Sequence, residues 1–188
     1  MFKSLGNNAS VFPMPVLMIA TYDENGVVDV MNAAWGMNCD PDKLMLCLTG
    51  THKTAKNLRI SKACTVALAD RAHLKEADFF GIASGNKMAD KFEKSGMEAI
   101  KSEKVNAPII KGFPIVMECE LLEEVETEHL HCFVVQVVDT LAEEAALKED
   151  GKPCIHKADL VLFNQFRASY MAVGEKVGQA WGEGKALL

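Results

Sequence analysis

An Asn-Gly dipeptide at positions 25 and 26 most narrows the folds that this chain can adopt. It stands between two short runs of mostly apolar residues, 16–22 and 27–31. Asn and Gly tolerate the positive φ angles of the tight turns that join antiparallel strands, so this pattern is typical of a β-hairpin. The first third of the chain is therefore expected to form antiparallel β-structure.

The rest of the chain alternates further apolar runs with turn signals. Five runs have the composition of strands: 43–49, 63–69, 115–125, 129–141 and 160–163. Three segments between them favour helices: 51–62, 74–84 and 87–95. Six or seven strands in hairpin order, interrupted by helices, predict a mainly β fold, an antiparallel barrel with inserted helices. No linker or repeat is visible, so a single domain over residues 1–188 is expected.

Composition excludes several classes of function. The 188 residues carry a net charge of −6, and an acidic chain is poorly suited to bind nucleic acid or an anionic membrane surface. No apolar run approaches the roughly 20 residues of a membrane span, and the first residues lack the apolar block of a signal peptide. Six cysteines without a Cys-x-x-Cys pair favour reduced thiols. A cytoplasmic location is expected.

Residues 51–54, Thr-His-Lys-Thr, stand at the predicted start of a helix. A helix N-terminus offers free backbone N–H groups and a partial positive charge, which suit a phosphate. Thr51 is also a plausible N-cap. Taken alone, this segment favours an ordinary capped helix with a solvated lysine, and the Gly-x-x-x-x-Gly-Lys pattern of a P-loop is absent.

Two further segments could contribute to a cofactor pocket. Asn32 and Trp35 follow the hairpin and offer an amide and a flat apolar wall for a ring system, although a tryptophan of the core is the alternative. Residues 84–87, Ser-Gly-Asn-Lys, form a small polar corner near Lys91. Lysines of this kind are usually solvated, so neither segment identifies a function by itself.

Other cofactor classes have little support in the sequence. His129 and His131 share a strand face, but no second ligand pair has a recognised metal spacing, so no metal site is predicted. The motifs Gly-x-Ser-x-Gly and Gly-x-Gly-x-x-Gly are absent. The five histidines leave open a haem or tetrapyrrole module as an alternative, without a supporting motif.

The order of these segments resembles the flavin reductase-like proteins that have an FMN-binding split barrel, and within them the flavoredoxin group. The resemblance covers nearly the whole chain. Five segments carry it: 15–21, 32–41, 53–57, 78–92 and 170–185. Ala34 departs from the common family pattern, which has a hydroxyl residue there, and Asn86 stands where a basic residue is common.

The resemblance implies a homodimeric, six- to seven-stranded antiparallel split barrel of the Greek-key type that binds FMN at or near the subunit interface. By position, the isoalloxazine ring would contact Asn32, Ala33, Ala34, Trp35 and Phe163. The ribityl chain and phosphate would be held by Thr49, Thr51, Lys53 and Thr54, with Asn57 nearby, and closed in by Ser84, Lys87 and Lys91.

Two functions follow from the resemblance. The first is an FMN-dependent oxidoreductase that takes electrons from NADH or NADPH and passes them to a flavin or a redox protein. The second is an electron carrier of the flavoredoxin type, which exchanges electrons with ferredoxin and does not use a nicotinamide. The flavin performs the electron chemistry in both cases, so no catalytic side chain is predicted.

Overall fold

The computed structural model describes residues 1–9 and 11–188, and within them it has twelve strands and three α-helices. The strands are β1 (Met14–Pro15), β2 (Leu17–Tyr22), β3 (Val28–Ala33), β4 (Gly36–Asp40), β5 (Lys43–Leu46), β6 (Ala63–Leu68), β7 (Ala99–Lys101), β8 (Pro108–Ile110), β9 (Ile115–Glu126), β10 (His131–Ala142), β11 (Val161–Asn164) and β12 (Ser169–Ala172). The helices are α1 (Lys53–Ser61), α2 (Leu74–Ile82) and α3 (Lys91–Ser95), and two 3₁₀ turns cover Glu144–Ala146 and Glu183–Leu187. None of the helices in these residues combines the length and the apolar composition needed to cross a bilayer.

Seven strands form one antiparallel sheet in the order β3-β2-β6-β9-β10-β5-β4. Its edge strands, β3 and β4, are consecutive in the chain and are joined only by Ala34 and Trp35. Two residues cannot cross a flat sheet of this width, roughly 29 Å at about 4.8 Å between strands, so the sheet rolls until its edges approach. A Cβ on Gly36 of β4 would lie 2.6 Å from Cδ1 of Leu17 on β2. The predicted antiparallel split barrel is confirmed.

Both faces of β2 are buried, which explains its continuous apolar sequence. Alternate side chains of a strand point to opposite faces. Leu17 and Ile19 belong to a cluster inside the barrel, whereas Met18 and Ala20 belong to a second cluster that includes Phe80 of α2. The second cluster packs α2 and α3 against the outside of the barrel, beside β3.

The predicted hairpin is confirmed, since β2 and β3 pair in antiparallel register. Asp23 Oδ1 accepts hydrogen bonds from the N–H groups of Asn25 and Val27, each at 2.9 Å. Gly26 has a φ of 77°, a left-handed conformation that most side chains disfavour. Gly26 therefore supplies the positive φ that the Asn-Gly sequence predicts, whereas Asn25 does not adopt one.

Several predicted boundaries are wrong. The helix expected from residue 51 begins at Lys53, with His52 as its N-cap, so Thr51 is not the cap. In the helix expected over 87–95, only Lys91–Ser95 is helical, because the N–H groups of Lys87 and Met88 both bond to the carbonyl of Ser84 in a turn. The sequence interpretation missed β1, β4, β7, β8 and β12.

An ion-paired cluster fastens the long β9–β10 hairpin to α1. Arg59 Nε donates to Glu124 Oε2 at 2.9 Å, and His131 Nε2 lies 2.6 Å from Glu124 Oε1. Chiefly because Arg59 donates to it, the pKa of Glu124 falls from 4.5 to about 2. Possible metal-ligand atoms of Glu124, Glu126 and His131 lie within 4.8 Å of one another, but the guanidinium already occupies the Glu124 carboxylate and would oppose a cation.

Candidate functional site

Two connected chambers lie where the end of β3, the start of α1 and the end of α2 meet. The polar chamber, about 170 Å³, is walled chiefly by Asp29, Lys53, Thr54, Ser84 and Lys91. The open chamber, about 410 Å³, is walled chiefly by Asn32, Ala33, Ala34, Trp35, Thr49, Phe163 and Tyr170. The two chambers share Asn32, His52 and Gly81 in their walls, so one elongated ligand can occupy both.

Lys91 of α3 is only 4% exposed, and it lines the polar chamber with its ammonium group. Its Nζ donates to the carbonyl oxygen of Phe80 at 3.0 Å. An ammonium group has three donor hydrogens, and the described residues accept this one hydrogen bond from it. Burial lowers the pKa of Lys91, while nearby Asp29 partly opposes that shift. A buried cation with spare donors is suited to bind an anion.

A second buried charge, Asp29 of β3, organises the same chamber. Thr54 Oγ1 donates to Asp29 Oδ2 at 2.6 Å, and both residues are buried. The backbone of Gly85 approaches the other carboxylate oxygen so closely that a Cβ on Gly85 would collide with it. Glycine is therefore required at this point of the 84–87 corner. The hydroxyl of Thr54 is already engaged, which leaves its backbone N–H as the group available to a ligand.

The first turn of α1 opens onto the polar chamber through His52, Lys53 and Thr54. No side chain among the described residues caps this helix, so the backbone N–H groups of its first turn remain available to an anion. Lys53 Nζ forms an ion pair with Asp23 Oδ2 at 3.0 Å. This pair holds the second lysine at the rim of the chamber, close to the helix N-terminus.

The open chamber has an aromatic and amide lining. Trp35 is 55% exposed, and its carbonyl oxygen accepts a hydrogen bond from the N–H of Cys47 at 2.8 Å. The alternative of a core tryptophan is therefore wrong. Asn32 Nδ2 donates to the carbonyl of Ala77 at 2.9 Å, which fixes its amide plane at the boundary between the chambers.

Tyr170 adds a hydroxyl to the open chamber. Its Oη donates to Asp78 Oδ1 at 2.8 Å. Burial, with this hydrogen bond to a carboxylate, raises the pKa of Tyr170 to about 12. The phenol therefore stays protonated at neutral pH and presents a neutral polar group beside Phe163, whose ring centre lies 6.0 Å away.

Three of the site residues expected from the sequence lie outside the walls of both chambers. Asn57 is buried and donates through Nδ2 to Thr21 Oγ1 at 3.1 Å. The carbonyl of Thr51 accepts from Asn86 Nδ2 at 2.9 Å, so Asn86, which replaces the common basic residue, braces the turn before α1. Lys87 is exposed. The other ten expected residues line one chamber or the other.

Sequence reasoning missed several wall residues, and the polar ones among them are Asp29, His52, Asp78 and Tyr170. An available signal for Asp29 was a lone charge within the otherwise apolar run of 27–31. Tyr170 belonged to the resemblance but was assigned no role. Of the five histidines in the sequence, His52 alone lines the two chambers.

Comparisons with known proteins identify relatives of this arrangement. A family model described as "Flavin reductase like domain" matches residues 9–168. The flavoredoxin of Desulfovibrio vulgaris (Miyazaki F) superposes with a TM-score of 0.93 and 33% identity, covering 98% of this chain and 100% of that one. The flavoredoxin from Methanosarcina acetivorans gives a TM-score of 0.89 and 27% identity, with all of both chains covered.

A more distant solved structure shares the fold alone. The FMN-binding domain of a flavin reductases-like enzyme from Shewanella baltica OS155 superposes with a TM-score of 0.77 and 22% identity, covering 88% of each chain. The split barrel is thus common to proteins whose sequences have diverged widely, whereas the two flavoredoxins also match this chain over nearly its full length.

Proposed function

This chain is a member of the flavin reductase like domain family, and we propose that it is an FMN-dependent oxidoreductase built as one domain. Lys91 carries the proposal, because a buried ammonium with unused donors at the end of an elongated cleft calls for an anionic ligand group. A neutral ligand would leave that charge compensated only in part, by the carbonyl of Phe80 and by Asp29. FMN has a phosphate at one end, which suits the polar chamber, and a flat ring at the other end, which suits the open chamber.

In this proposal the phosphate of FMN binds in the polar chamber. Lys91 and Lys53 supply charge, and the N–H groups at the start of α1 supply hydrogen bonds. Ser84 closes the chamber. Thr49 and Thr54 line the chambers and supply the remaining phosphate and ribityl contacts. Thr51, Asn57 and Lys87, which the resemblance also implied, lie outside the chamber walls.

The isoalloxazine ring would lie in the open chamber, against Asn32, Ala33, Ala34, Trp35 and Phe163. Bound FMN supplies the chemistry of one- and two-electron transfer. The chain's own groups orient the ring and exclude water from one of its faces. The neutral phenol of Tyr170 donates its proton to Asp78, so its oxygen is available to the ring as a hydrogen-bond acceptor.

NADH or NADPH is proposed as the transient electron donor. The open chamber continues into a neighbouring apolar groove through Ala34, Trp35 and Cys47. This leaves room for a second flat ring beside the first. A nicotinamide could stack there without a dinucleotide-binding motif, which the sequence lacks.

A flavoredoxin-type electron carrier is the second candidate. It is favoured by the similarity to two flavoredoxins over 98% and 100% of the chain. A carrier would receive electrons from a redox protein such as ferredoxin, and its donor would approach the exposed edge of the ring near Trp35. The pocket and the cofactor are the same in both candidates, so they differ only in the donor.

A cytoplasmic homodimer is also part of the proposal. A compact monomer of this mass exposes about 8,900 Å², whereas this chain exposes 11797 Å². The excess is roughly 2,900 Å² per chain, or about 5,800 Å² for two chains, and obligate dimers bury about 2,000 to more than 5,000 Å² in total over both chains. The six cysteines are free thiols, which suits a reducing compartment.

One spectroscopic experiment tests the function. The purified protein is expected to be yellow and to bind FMN in a 1:1 ratio to chain. Under anaerobic conditions, NADH or NADPH should bleach the flavin absorbance rapidly. Rapid bleaching by reduced ferredoxin, without any by NADH or NADPH, would select the carrier instead.

Two results would overturn the proposal itself. One is a colourless protein that shows no change on titration with FMN. The other is a Soret band after incubation with haem, together with no flavin binding, which would favour the tetrapyrrole module. Sedimentation of the same sample measures the oligomeric state independently of the cofactor.

A further inference from the structure

The residues after β12 leave the body of the protein as an arm, which comprises residues 174–188. Val173 is the last residue packed on a core cluster. Within the described part of the chain, the arm's hydrogen bonds join only its own residues, among them Gln179 N to Glu183 Oε1 at 2.9 Å. Val177 and Trp181 are 94% and 92% exposed. The arm therefore presents large apolar side chains that no described residue of this chain covers.

The arm has a defined conformation and is more than a frayed end. Trp181 has a φ of 57° in a turn that the N–H groups of Gly182 and Glu183 close by donating to the carbonyl oxygen of Gln179. The side chain of Trp181 is nevertheless almost fully exposed within its own chain. The two flavoredoxins superpose over 98% and 100% of this chain, so the second superposition includes the arm.

A groove that can accommodate apolar side chains lies beside the open chamber. This apolar groove, about 500 Å³, contains Trp35, Met37, Met45 and Cys47 in its walls. Trp35 and Met37 are both exposed, and methionine side chains adapt well to apolar partners. The arm does not enter the groove of its own chain, because its apolar side chains remain exposed.

We propose that the arm crosses to a second copy of this chain and buries Val177 and Trp181 in that copy's apolar groove. This inference rests on the homodimer of the proposed function and adds the segment that closes it. Twofold symmetry gives each groove the other copy's arm, so the exchange is self-complementary and closed. A second copy supplies arm and groove in equal numbers, and the exchange buries part of the roughly 2,900 Å² of excess surface.

The exchange completes the open chamber. The apolar groove and the chamber share Ala34, Trp35 and Cys47, so an arm seated in the groove forms an outer wall beside the proposed ring site. Each flavin site is then built by two chains. Release of the arm would open the ring to water without disturbing the polar chamber at the other end.

Isotope-coded cross-linking distinguishes an exchanged arm from one that folds back. Full-length protein with Ala180→benzoylphenylalanine is prepared in ¹⁵N-labelled and unlabelled forms, mixed, and irradiated once native mass spectrometry shows mixed dimers. Arm peptides are expected to be linked to peptides from 34–47, with labelled and unlabelled members joined in about half of the pairs, as random exchange requires. Links confined to one isotope, or no links to 34–47, would overturn the inference.

A substitution in the arm tests its energetic role without risk to the core, since Trp181 is exposed within its own chain. Trp181→Ala is expected to raise the dimer dissociation constant by roughly 30-fold or more, because interface tryptophans are commonly hot spots. Ile100→Ala removes an exposed apolar side chain of β7, away from arm and groove, and should leave that constant unchanged.

The outcomes separate the two proposals. If the wild-type protein binds FMN but sediments as a monomer, the homodimer fails and the arm exchange fails with it. If the wild type is a dimer and Trp181→Ala leaves the dissociation constant unchanged, only the arm exchange fails. Loss of FMN binding in the wild type would instead contradict the proposed function.

Discussion

Lys91 keeps a positive charge where desolvation opposes it. Burial lowers the pKa of its ammonium, and the carbonyl of Phe80 and the carboxylate of Asp29 compensate only in part. Buried lysines without full pairing are rare, because an uncompensated charge destabilises the fold. A phosphate in the polar chamber would compensate this charge. Relief of the unfavourable burial of Lys91 would then contribute to the free energy of FMN binding.

Replacing Lys91 by methionine should separate phosphate binding from ring binding. Lys91→Met removes a charge-assisted hydrogen bond worth about 1.5–3 kcal/mol, so FMN affinity should fall roughly 10- to 100-fold. The affinity for riboflavin, which has no phosphate, should stay the same. Flavin fluorescence titration measures both ligands.

The matched control is Lys94→Met on the same helix. Lys94 is exposed and paired with Asp90 at 3.0 Å, so its loss should leave both affinities unchanged. An equal loss of FMN and riboflavin affinity in Lys91→Met would mean that Lys91 supports the structure of the cleft and does not bind phosphate.

At the scale of elements, the cluster of Arg59, Glu124 and His131 ties α1 to the β9–β10 hairpin. Its contribution depends on pH through Glu124, whose pKa of about 2 lies below its ordinary 4.5. A carboxyl with a depressed pKa stabilises the folded state fully above about 4.5, and this stabilisation is lost as the pH falls towards 2. The cluster is partly exposed, so screening by solvent reduces its contribution to the free energy of unfolding.

Glu124→Gln should therefore destabilise the protein in a pH-dependent way. The free energy of unfolding should drop by about 1 kcal/mol at pH 7, and the gap between variant and wild type should close as the pH approaches 2. Urea denaturation at several pH values measures the gap. Glu120→Gln, an exposed carboxyl on the same strand, should show no such gap, and a constant gap for Glu124→Gln at all pH values would contradict the assignment.

Local sequence signals located most long elements and missed the short polar ones. The Asn25-Gly26 turn and the apolar run of β2 are local features, and they predicted the hairpin correctly. Strand β4 has the sequence Gly-Met-Asn-Cys-Asp, with four exposed residues, so it lacks an alternating pattern. It is a strand only because β5 pairs with it, and a partner of that kind has no local signature.

The residues of the site were also predicted where the signal is local and missed where it depends on distant contacts. Residues near the ends of recognisable elements, such as Lys53 and Lys91, were expected through the resemblance and do line the polar chamber. Asp29 was missed because its role arises from contacts with Thr54 and Gly85, which are 25 and 56 positions away in the sequence. Contacts between residues so far apart in the sequence depend on the curvature of the sheet, which has no local sequence signal.

At the scale of the whole molecule, barrel closure depends on Gly36. A Cβ there would approach Cδ1 of Leu17 at 2.6 Å and Cδ2 of Leu46 at 3.1 Å. Both leucines are buried, so they have little space to move. The close approach of β4 to β2 therefore requires the absence of a side chain.

Gly36→Ala should overpack this contact and lower the free energy of unfolding by about 1–3 kcal/mol. Thermal unfolding followed by circular dichroism measures the effect. Gly174→Ala is the matched control, because a Cβ on Gly174 would meet nothing within 4 Å. If Gly36→Ala unfolds at the wild-type temperature, the two sheet edges are less tightly packed than described.

The two-residue link between β3 and β4 also couples ligand binding to the integrity of the barrel. Ala34 and Trp35 join the sheet's edges and, at the same time, wall the open chamber. A ligand there contacts the end of β3 and this link, so its binding free energy stabilises the closed barrel in which the two edges lie close together. Mutations that separate the two sheet edges would therefore weaken ligand binding without changing any atom that contacts the ligand.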